Sequence, residues 1–580
     1  MRILMDISKL QQYQQPQADL PQKQYTWPLY GSGVDNLGKN GKAVEAPVPA
    51  YGDNELLMRI DAVSLCFTDL KEIDQGENHP RLKGRDLKTN PIIPGHELSM
   101  TVVGVGAKLS KQYKVGDRYT MQPDVWVDGK SIPFCFGMDG AYRQYAVIDQ
   151  RILAGDAGNY LIPVPEGMTY AAAAITEPWA CVEAAYRMQY REAFRTNGAV
   201  LFIGSASSRK GFVVDEQWLA NSKPATIYVC DAPADFHDLL AGLCNKNAIE
   251  LKAITRQEIS AGELLFDDLL LLDGSAEDVN LLASHLAKGA VTALFNDKPL
   301  SDPIEIDLGC LHYDEIFYVG STSLNISDAY QSNPARPEFK KGGMAWILGA
   351  GGPMGRMHLQ RAIESQNGPA VIVASEVTAV RLEALREFFA PLAEKNNKKL
   401  LLINSVEDRS GFESLMNDCL NKGGFDDIEV MVTLPAVIAD ACKYLAPKGM
   451  VNIFAGMKRG VKMTIDAWLM IGNRQARFIG HSGSGLDDQK AVVNRCIAGQ
   501  LDPNLSVAAV AGLMQIADGV RATHDSIYPG KIVIFPQIEN FPLTGLSELK
   551  EKLPQVYAKL GENETWNRDA ENVFLESELS

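Results

Sequence analysis

The chain has 580 residues, 46% of them hydrophobic and 22% charged, with a net charge of −16. That length predicts about three to four domains of roughly 150 residues, and the apolar fraction is enough for large cores. The acidic balance argues against nucleic acid or an anionic membrane as partner, since both need basic patches. At the start, Met1-Arg-Ile-Leu-Met-Asp6 lacks the apolar stretch of a signal peptide, and no long apolar run follows. The nine cysteines are scattered, an odd number without close pairs. Reduced thiols and a cytoplasmic location are expected.

Three stretches then carry chemistry. The first is Ser64-Leu-Cys-Phe-Thr-Asp69, with Asp69 three residues after the thiol. The second is Ile93-Pro-Gly-His-Glu97, followed by Val102-Val-Gly-Val-Gly106 and Val115-Gly-Asp-Arg118. The third is Thr176-Glu-Pro178, with Cys181 close behind. Zinc takes thiolate, imidazole and carboxylate ligands, and a catalytic zinc keeps one position open. Cys66, His96, Glu97 and Glu177 are therefore candidate metal ligands. Singly each has an ordinary reading, since a buried Cys is usually a small hydrophobe. Their order, ahead of a dinucleotide-binding signature, favours the metal.

From about residue 166, apolar strands alternate with helices, which predicts doubly wound parallel sheets. The pattern occurs twice. Phe194-Arg-Thr-Asn-Gly-Ala-Val-Leu-Phe-Ile-Gly204 parallels Phe339-Lys-Lys-Gly-Gly-Met-Ala-Trp-Ile-Leu-Gly349, and Ala225-Thr-Ile-Tyr-Val-Cys-Asp231 parallels Ala370-Val-Ile-Val-Ala-Ser-Glu376. Phe266-Asp-Asp268 answers Phe425-Asp-Asp427, and Phe317-Tyr-Val-Gly320 answers Arg477-Phe-Ile-Gly480. The later pairs lie further apart, so the second copy carries a net insertion.

Only the second copy keeps a complete cofactor fingerprint. In Gly349-Ala-Gly-Gly-Pro-Met-Gly355, Gly349 permits the tight turn, Gly351 lets backbone approach a pyrophosphate, and Gly355 allows close helix packing. Gly352, Pro353 and Met354 complete the cradle, and phosphates would sit on the N-terminus of the helix through Met357 to Ile363. About 20 residues on, Glu376 stands where an acid holds the ribose hydroxyls and repels a 2′-phosphate, so NAD(H) is favoured over NADP(H). Arg381, near the ribose pocket, leaves NADP(H) open. The first copy reads Gly204-Ser-Ala-Ser-Ser-Arg-Lys-Gly211. Ala206 would crowd a pyrophosphate there, so this copy is expected to be structural, with Arg209 and Lys210 as the remaining anion-binding candidates.

Taken together, the motifs resemble the zinc-dependent branch of the medium-chain dehydrogenase/reductase superfamily, nearer to sorbitol (polyol) dehydrogenases than to alcohol dehydrogenases. The resemblance covers residues 45–190 and 340–580, and the tail with Trp566 and Phe574 is also similar to L-sorbose 1-phosphate reductase-like proteins. It implies an α/β protein with a GroES-like, β-rich catalytic domain at residues 1–165, completed by 505–580. Two tandem Rossmann domains follow, a degenerate one at 166–335 and an NAD-binding one at 338–504, with Asn333-Pro-Ala-Arg-Pro337 between them. Gly530-Lys-Ile-Val-Ile-Phe-Pro536 resembles the family's closing strand.

The resemblance further implies reversible oxidation of a polyol, sugar or sugar phosphate, a small molecule, with zinc polarising the reacting oxygen. Either Glu97 or Glu177 touches the metal. Asp69 accepts the far ring N–H of His96, and Thr68 stands where the family places a proton-relaying hydroxyl. Lys71 replaces the histidine that completes the relay in alcohol dehydrogenases, which leaves the outer proton path open. The four-cysteine lobe of many relatives is reduced between Gln122 and Gly140 to Cys135 alone, so one catalytic zinc and no structural zinc are expected. Competing readings are an NADP-linked sugar-phosphate reductase, a zinc-free quinone reductase and a non-catalytic scaffold of paired Rossmann folds. Cofactor domains of the family usually join edge to edge across a twofold axis. The degenerate copy is thus expected to supply that partner from the same chain, through Ile316-Phe-Tyr-Val319 and Arg477-Phe-Ile479, covering a sheet edge. Assembly into homo-oligomers is compatible with this arrangement.

Overall fold

The computed structural model describes residues 8–16, 20–332, 335–472 and 474–579. Asn333 and Pro334 of the expected linker lie outside the described residues. The chain divides into two compact units, Met1–Ala184 with Gly483–Ser580, and Ala185–Ser482. These limits differ from the expected 165 and 505. The helices Tyr170–Ala185 and Leu486–Ile497 fall almost wholly in the first unit, where Ile162, Leu486 and Val493 share a small apolar cluster. Among the described residues, no helix is long and apolar enough to cross a membrane.

The first unit is built on an eight-stranded sheet. Its central strand, Leu56–Ser64, is buried along its whole length, although it contains Arg59 and Asp61. The two charges are tolerated because they pair at 2.8 Å, while Tyr13 and Thr101 also donate to Asp61. Glu97–Val105 pairs antiparallel on one side of this strand and Lys531–Phe535 on the other. The C-terminal segment therefore completes the sheet that carries the first third of the chain. Trp566 and Phe574, in the tail, pack against Phe535.

The second unit holds both repeats in one sheet of twelve strands. In the first half the strands run Glu250–Ala253, Thr226–Cys230, Ala199–Ile203, Phe266–Leu272, Leu286–Phe295 and Phe317–Ser321. By chain order that is 3-2-1-4-5-6, the doubly wound order of dinucleotide-binding sheets. The second half mirrors it: Arg477–Gly480, Leu445–Ile453, Phe425–Val430, Met344–Leu348, Val371–Glu376 and Lys399–Asn404. The two sixth strands meet antiparallel, Tyr318 opposite Phe478, so the halves form one continuous surface. The Asp-Asp repeats occupy matching places. Asp268 pairs with Arg191 and Asp427 with Arg336, each at 2.9 Å, where the register between the fourth and fifth strands of its half shifts.

Candidate functional site

The first unit concentrates its metal-binding side chains at the end of the central strand. Cys66 caps the helix Phe67–Gln75, and its Sγ accepts the Thr68 backbone N–H at 3.4 Å. The thiolate is the form of cysteine that binds metal. Asp69 closes the same cap, taking the Cys66 N–H on Oδ2 at 3.1 Å. Its Oδ1 lies 2.8 Å from His96 Nδ1, and Tyr142 donates to Oδ2 at 2.9 Å. Asp69 is thereby held from three sides, and it fixes a tautomer with the proton on Nδ1 and the Nε2 lone pair free.

Gly95 makes this packing possible. Its φ is +95°, and an added Cβ would stand 2.4 Å from the Tyr142 ring. No other residue would leave room for the Tyr142 hydroxyl to reach Asp69 while His96 leads into the strand that starts at Glu97.

One donor atom each from Cys66, His96 and Glu97 lie within 4.8 Å of one another. Glu97 is fully buried and pairs through Oε1 with the Lys531 ammonium at 2.7 Å, while Oε2 has no hydrogen-bond partner. Burial disfavours the Lys531 charge, but Glu97, Cys66 and Glu177 outweigh it and hold its pKa above the ordinary value. A thiolate, an imidazole and an orphaned carboxylate oxygen fit zinc. Glu177 stands outside that close group. Burial pushes its carboxyl up to about 7, Glu97 adding to the rise and His96 and Lys531 opposing it. Cys181 Sγ lies 3.9 Å from Glu177 Oε1.

Thr68 is exposed on the first turn of the helix, and Lys71 is half-buried one turn later. Sequence reasoning missed four neighbours. Lys531 lies in the returning strand, and its one signal is a cation in an otherwise apolar stretch. Tyr142 gave no signal. Cys135 faces the same centre, in a second close group with Asp69 and His96. Glu72, one turn beyond Thr68, is fully buried, and burial first and Asp69 second raise its carboxyl well above the usual range.

In the second unit the cradle Gly349–Gly355 joins the strand Met344–Leu348 to the helix Pro353–Glu364. The helix thus begins at Pro353, earlier than the expected Met357, because proline suits a first helical position. Gly351 faces Glu376: its N–H donates to Oε2 at 2.9 Å, and a Cβ would fall 2.2 Å from that oxygen. Gly355 lies against the Gly349 carbonyl, Gly352 borders open space, and Arg381 flanks Gly351. Pro353 is exposed and Met354 half-buried.

The first copy has no such cradle. The strand Ala199–Ile203 is followed by a loop and only the short helix Glu216–Ser222. Arg209 is taken up by Asp273 at 2.8 Å. Arg256 crosses the opening to Gly204 O and Asp231, beside a cavity of about 620 Å³ that Lys210 also lines.

The alcohol dehydrogenase GroES-like domain model matches residues 52–155. The uncharacterized protein YggP of Escherichia coli strain K12 is 23% identical, over 91% of this chain and 92% of its own length. The L-sorbose 1-phosphate reductase of Klebsiella pneumoniae is 26% identical, over 48% of this chain and 72% of its own length. Among solved structures, 2R,3R-butanediol dehydrogenase from Bacillus subtilis aligns at 14% identity with a TM-score of 0.49, covering 88% of this chain and 99% of that one. Residues 52–155 thus carry an alcohol dehydrogenase GroES-like domain, in a chain that is similar over most of its length to YggP and over about half of it to L-sorbose 1-phosphate reductase.

Proposed function

We propose that the chain is a zinc-dependent oxidoreductase that transfers a hydride between NAD(H) and a secondary alcohol or ketone of a polyol or sugar. The observation that carries this reading is the gathering of Cys66, His96 and Glu97 donor atoms within 4.8 Å. It occurs in a chain that also keeps the whole fingerprint from Gly349 to Glu376. Cys66, His96 and Glu97 would hold the metal, with Glu177 as the alternative carboxylate. Bound there, zinc supplies the Lewis acidity that lowers the pKa of an alcohol.

The remaining roles fall to the chain's own side chains. Asp69 keeps the His96 ring in one tautomer and orientation, so the imidazole needs no rearrangement. The exposed Thr68 hydroxyl takes the alcohol proton outward, and Lys71, one turn on, borders that path. Glu376 accepts the ribose hydroxyls of NAD and disfavours a 2′-phosphate. The exposed Val377, Val380 and Val406 offer apolar surface to the adenine. The name of the Klebsiella relative supports a sugar or polyol substrate.

The test is a screen of polyols, ketoses and their phosphates with NAD(H) and NADP(H), using protein of measured zinc content. Turnover that tracks zinc and prefers NAD(H) is expected. Activity with NADP(H) alone would instead favour the reductase reading in which Arg381 takes the 2′-phosphate. No turnover of any of these compounds by zinc-replete protein overturns the proposal.

A further inference from the structure

The segment His79-Pro-Arg-Leu-Lys-Gly-Arg85 carries three cations and no acid, in a chain of net charge −16. It follows the helix Phe67–Gln75, whose N-terminal turn holds Cys66, Thr68 and Asp69, after the short turn Gly76–Asn78. The segment is fastened rather than loose. Arg85 donates to Asn90 O and Pro91 O, both at 2.7 Å, and to Phe136 O at 3.3 Å.

The His79 ring stacks on Phe136 at 4.9 Å and 17°, and the Arg81 guanidinium sits 5.2 Å from the centroid of the same ring. Phe136 follows Cys135, whose Sγ is 3.9 Å from His96 Nδ1. Lys71 approaches from the helix side, two residues beyond Asp69, with its ammonium 5.8 Å from the ring of Phe67, which is 60% exposed. Burial, then Arg81, then Lys71 depress the His79 pKa. Among the described residues Lys71 has no ion-pair partner. Arg81 has one weak one, Asp124 at 4.0 Å, with both side chains well exposed. Such a pair contributes little and yields readily to a dianion.

His79 and Arg81 share the Phe136 ring, next in the chain to Cys135, and with Lys71 on the preceding helix they make a group of two cations and an imidazole that suits a phosphate monoester. We propose that Lys71, His79 and Arg81 form a phosphate subsite and that the physiological substrates are phosphorylated polyols or ketoses. This rests on the dehydrogenase reading for the reaction, though not for phosphate binding itself. Lys71 then replaces the relay histidine of the alcohol dehydrogenases because the substrate brings an anion to that position.

The test uses zinc-loaded, full-length protein with NAD bound, so that the cofactor's own phosphate cradle is filled. Inorganic phosphate binding is measured by calorimetry in wild type, Arg81→Ser, Lys71→Met and the rescue variant Arg81→Lys. A saturable site is expected in wild type, weakened at least tenfold in the first two variants and partly restored in the third. In parallel, kcat/KM is measured for a hexitol phosphate and its parent hexitol. The phosphorylated-to-parent ratio should fall at least tenfold in Arg81→Ser. Phosphate binding unaltered by both substitutions, or an unaltered ratio in an active Arg81→Ser protein, overturns the subsite. If no polyol or ketose turns over yet phosphate binding responds to the variants, the dehydrogenase reading fails and the subsite stands.

Discussion

Glu97 gives one carboxylate oxygen to the Lys531 ammonium, 2.7 Å away, and keeps the other buried without a partner. The strand Glu97–Val105 and the strand that returns at the end of the chain are thereby joined by a buried charge pair. Removing one member of such a pair strands the other. Lys531→Met should cost about 3–5 kcal/mol of stability in metal-free protein, measured by urea unfolding. The double variant Glu97→Gln/Lys531→Met should recover most of that loss, because no uncompensated charge remains. Losses that merely add would show that the pair is not coupled.

Cys66→Ser replaces a thiolate with a hydroxyl that stays protonated near neutrality. Substitutions in the shell around a metal typically cost about 10–100-fold in affinity or activity, and loss of a ligand should exceed that range. Zinc per chain, read by mass spectrometry, and hydride transfer should fall together. Near-normal zinc and rate in the variant would falsify the assignment.

Glu376 accepts N–H groups from Gly351 and Val377 at 2.9 and 2.8 Å, so its carboxylate is already aimed across the cradle. Glu376→Ser should raise the KM for NAD and narrow the gap to NADP by removing the charge that repels a 2′-phosphate. Steady-state kinetics with both cofactors checks this. A wild type that prefers NADP would show that the acid does not set the choice.

Asp268 and Asp427 offer a paired test of pH dependence. Burial pushes each carboxyl up to about 6, against the pull of Arg191 and Arg336 respectively. A carboxyl whose folded pKa exceeds its unfolded value of about 3.9 binds more protons in the native state, so its contribution falls as pH rises. The window runs from about 4 to about 6. Unfolding midpoints should show Asp268→Asn gaining on wild type across that window, and Asp427→Asn doing the same in the other half. A variant that loses ground there would reverse the sign.

What the sequence disclosed follows a physical divide. Cys66, Asp69, His96 and Glu97 were legible because short-range requirements, a helix cap and a glycine turn, set their spacing. The repeats were legible because each half keeps an Asp-Asp pair whose second acid holds an arginine, Asp268 with Arg191 and Asp427 with Arg336. Lys531 was not, because its partner lies 434 positions away and a lone lysine in a strand carries no local mark. Tyr142 and Glu72 became meaningful only once Gly95 and the helix Phe67–Gln75 were folded around them. The replacement of the first copy's long helix by a loop was equally hidden, since Arg209 is claimed by Asp273, a residue no motif connects to it.

The meeting of Tyr318 and Phe478 has a consequence for how the protein responds to concentration. A joint between separate subunits obeys mass action and loosens on dilution. Here both strands belong to one chain, and the effective concentration of each for the other is set by the tether rather than by the amount of protein. The joint therefore persists in a single molecule. Covalent linkage also ends the need for both halves to stay alike. A subunit encoded once must serve both sides of a symmetric contact, whereas tandem halves can drift apart, one keeping its glycine cradle and the other only its edge.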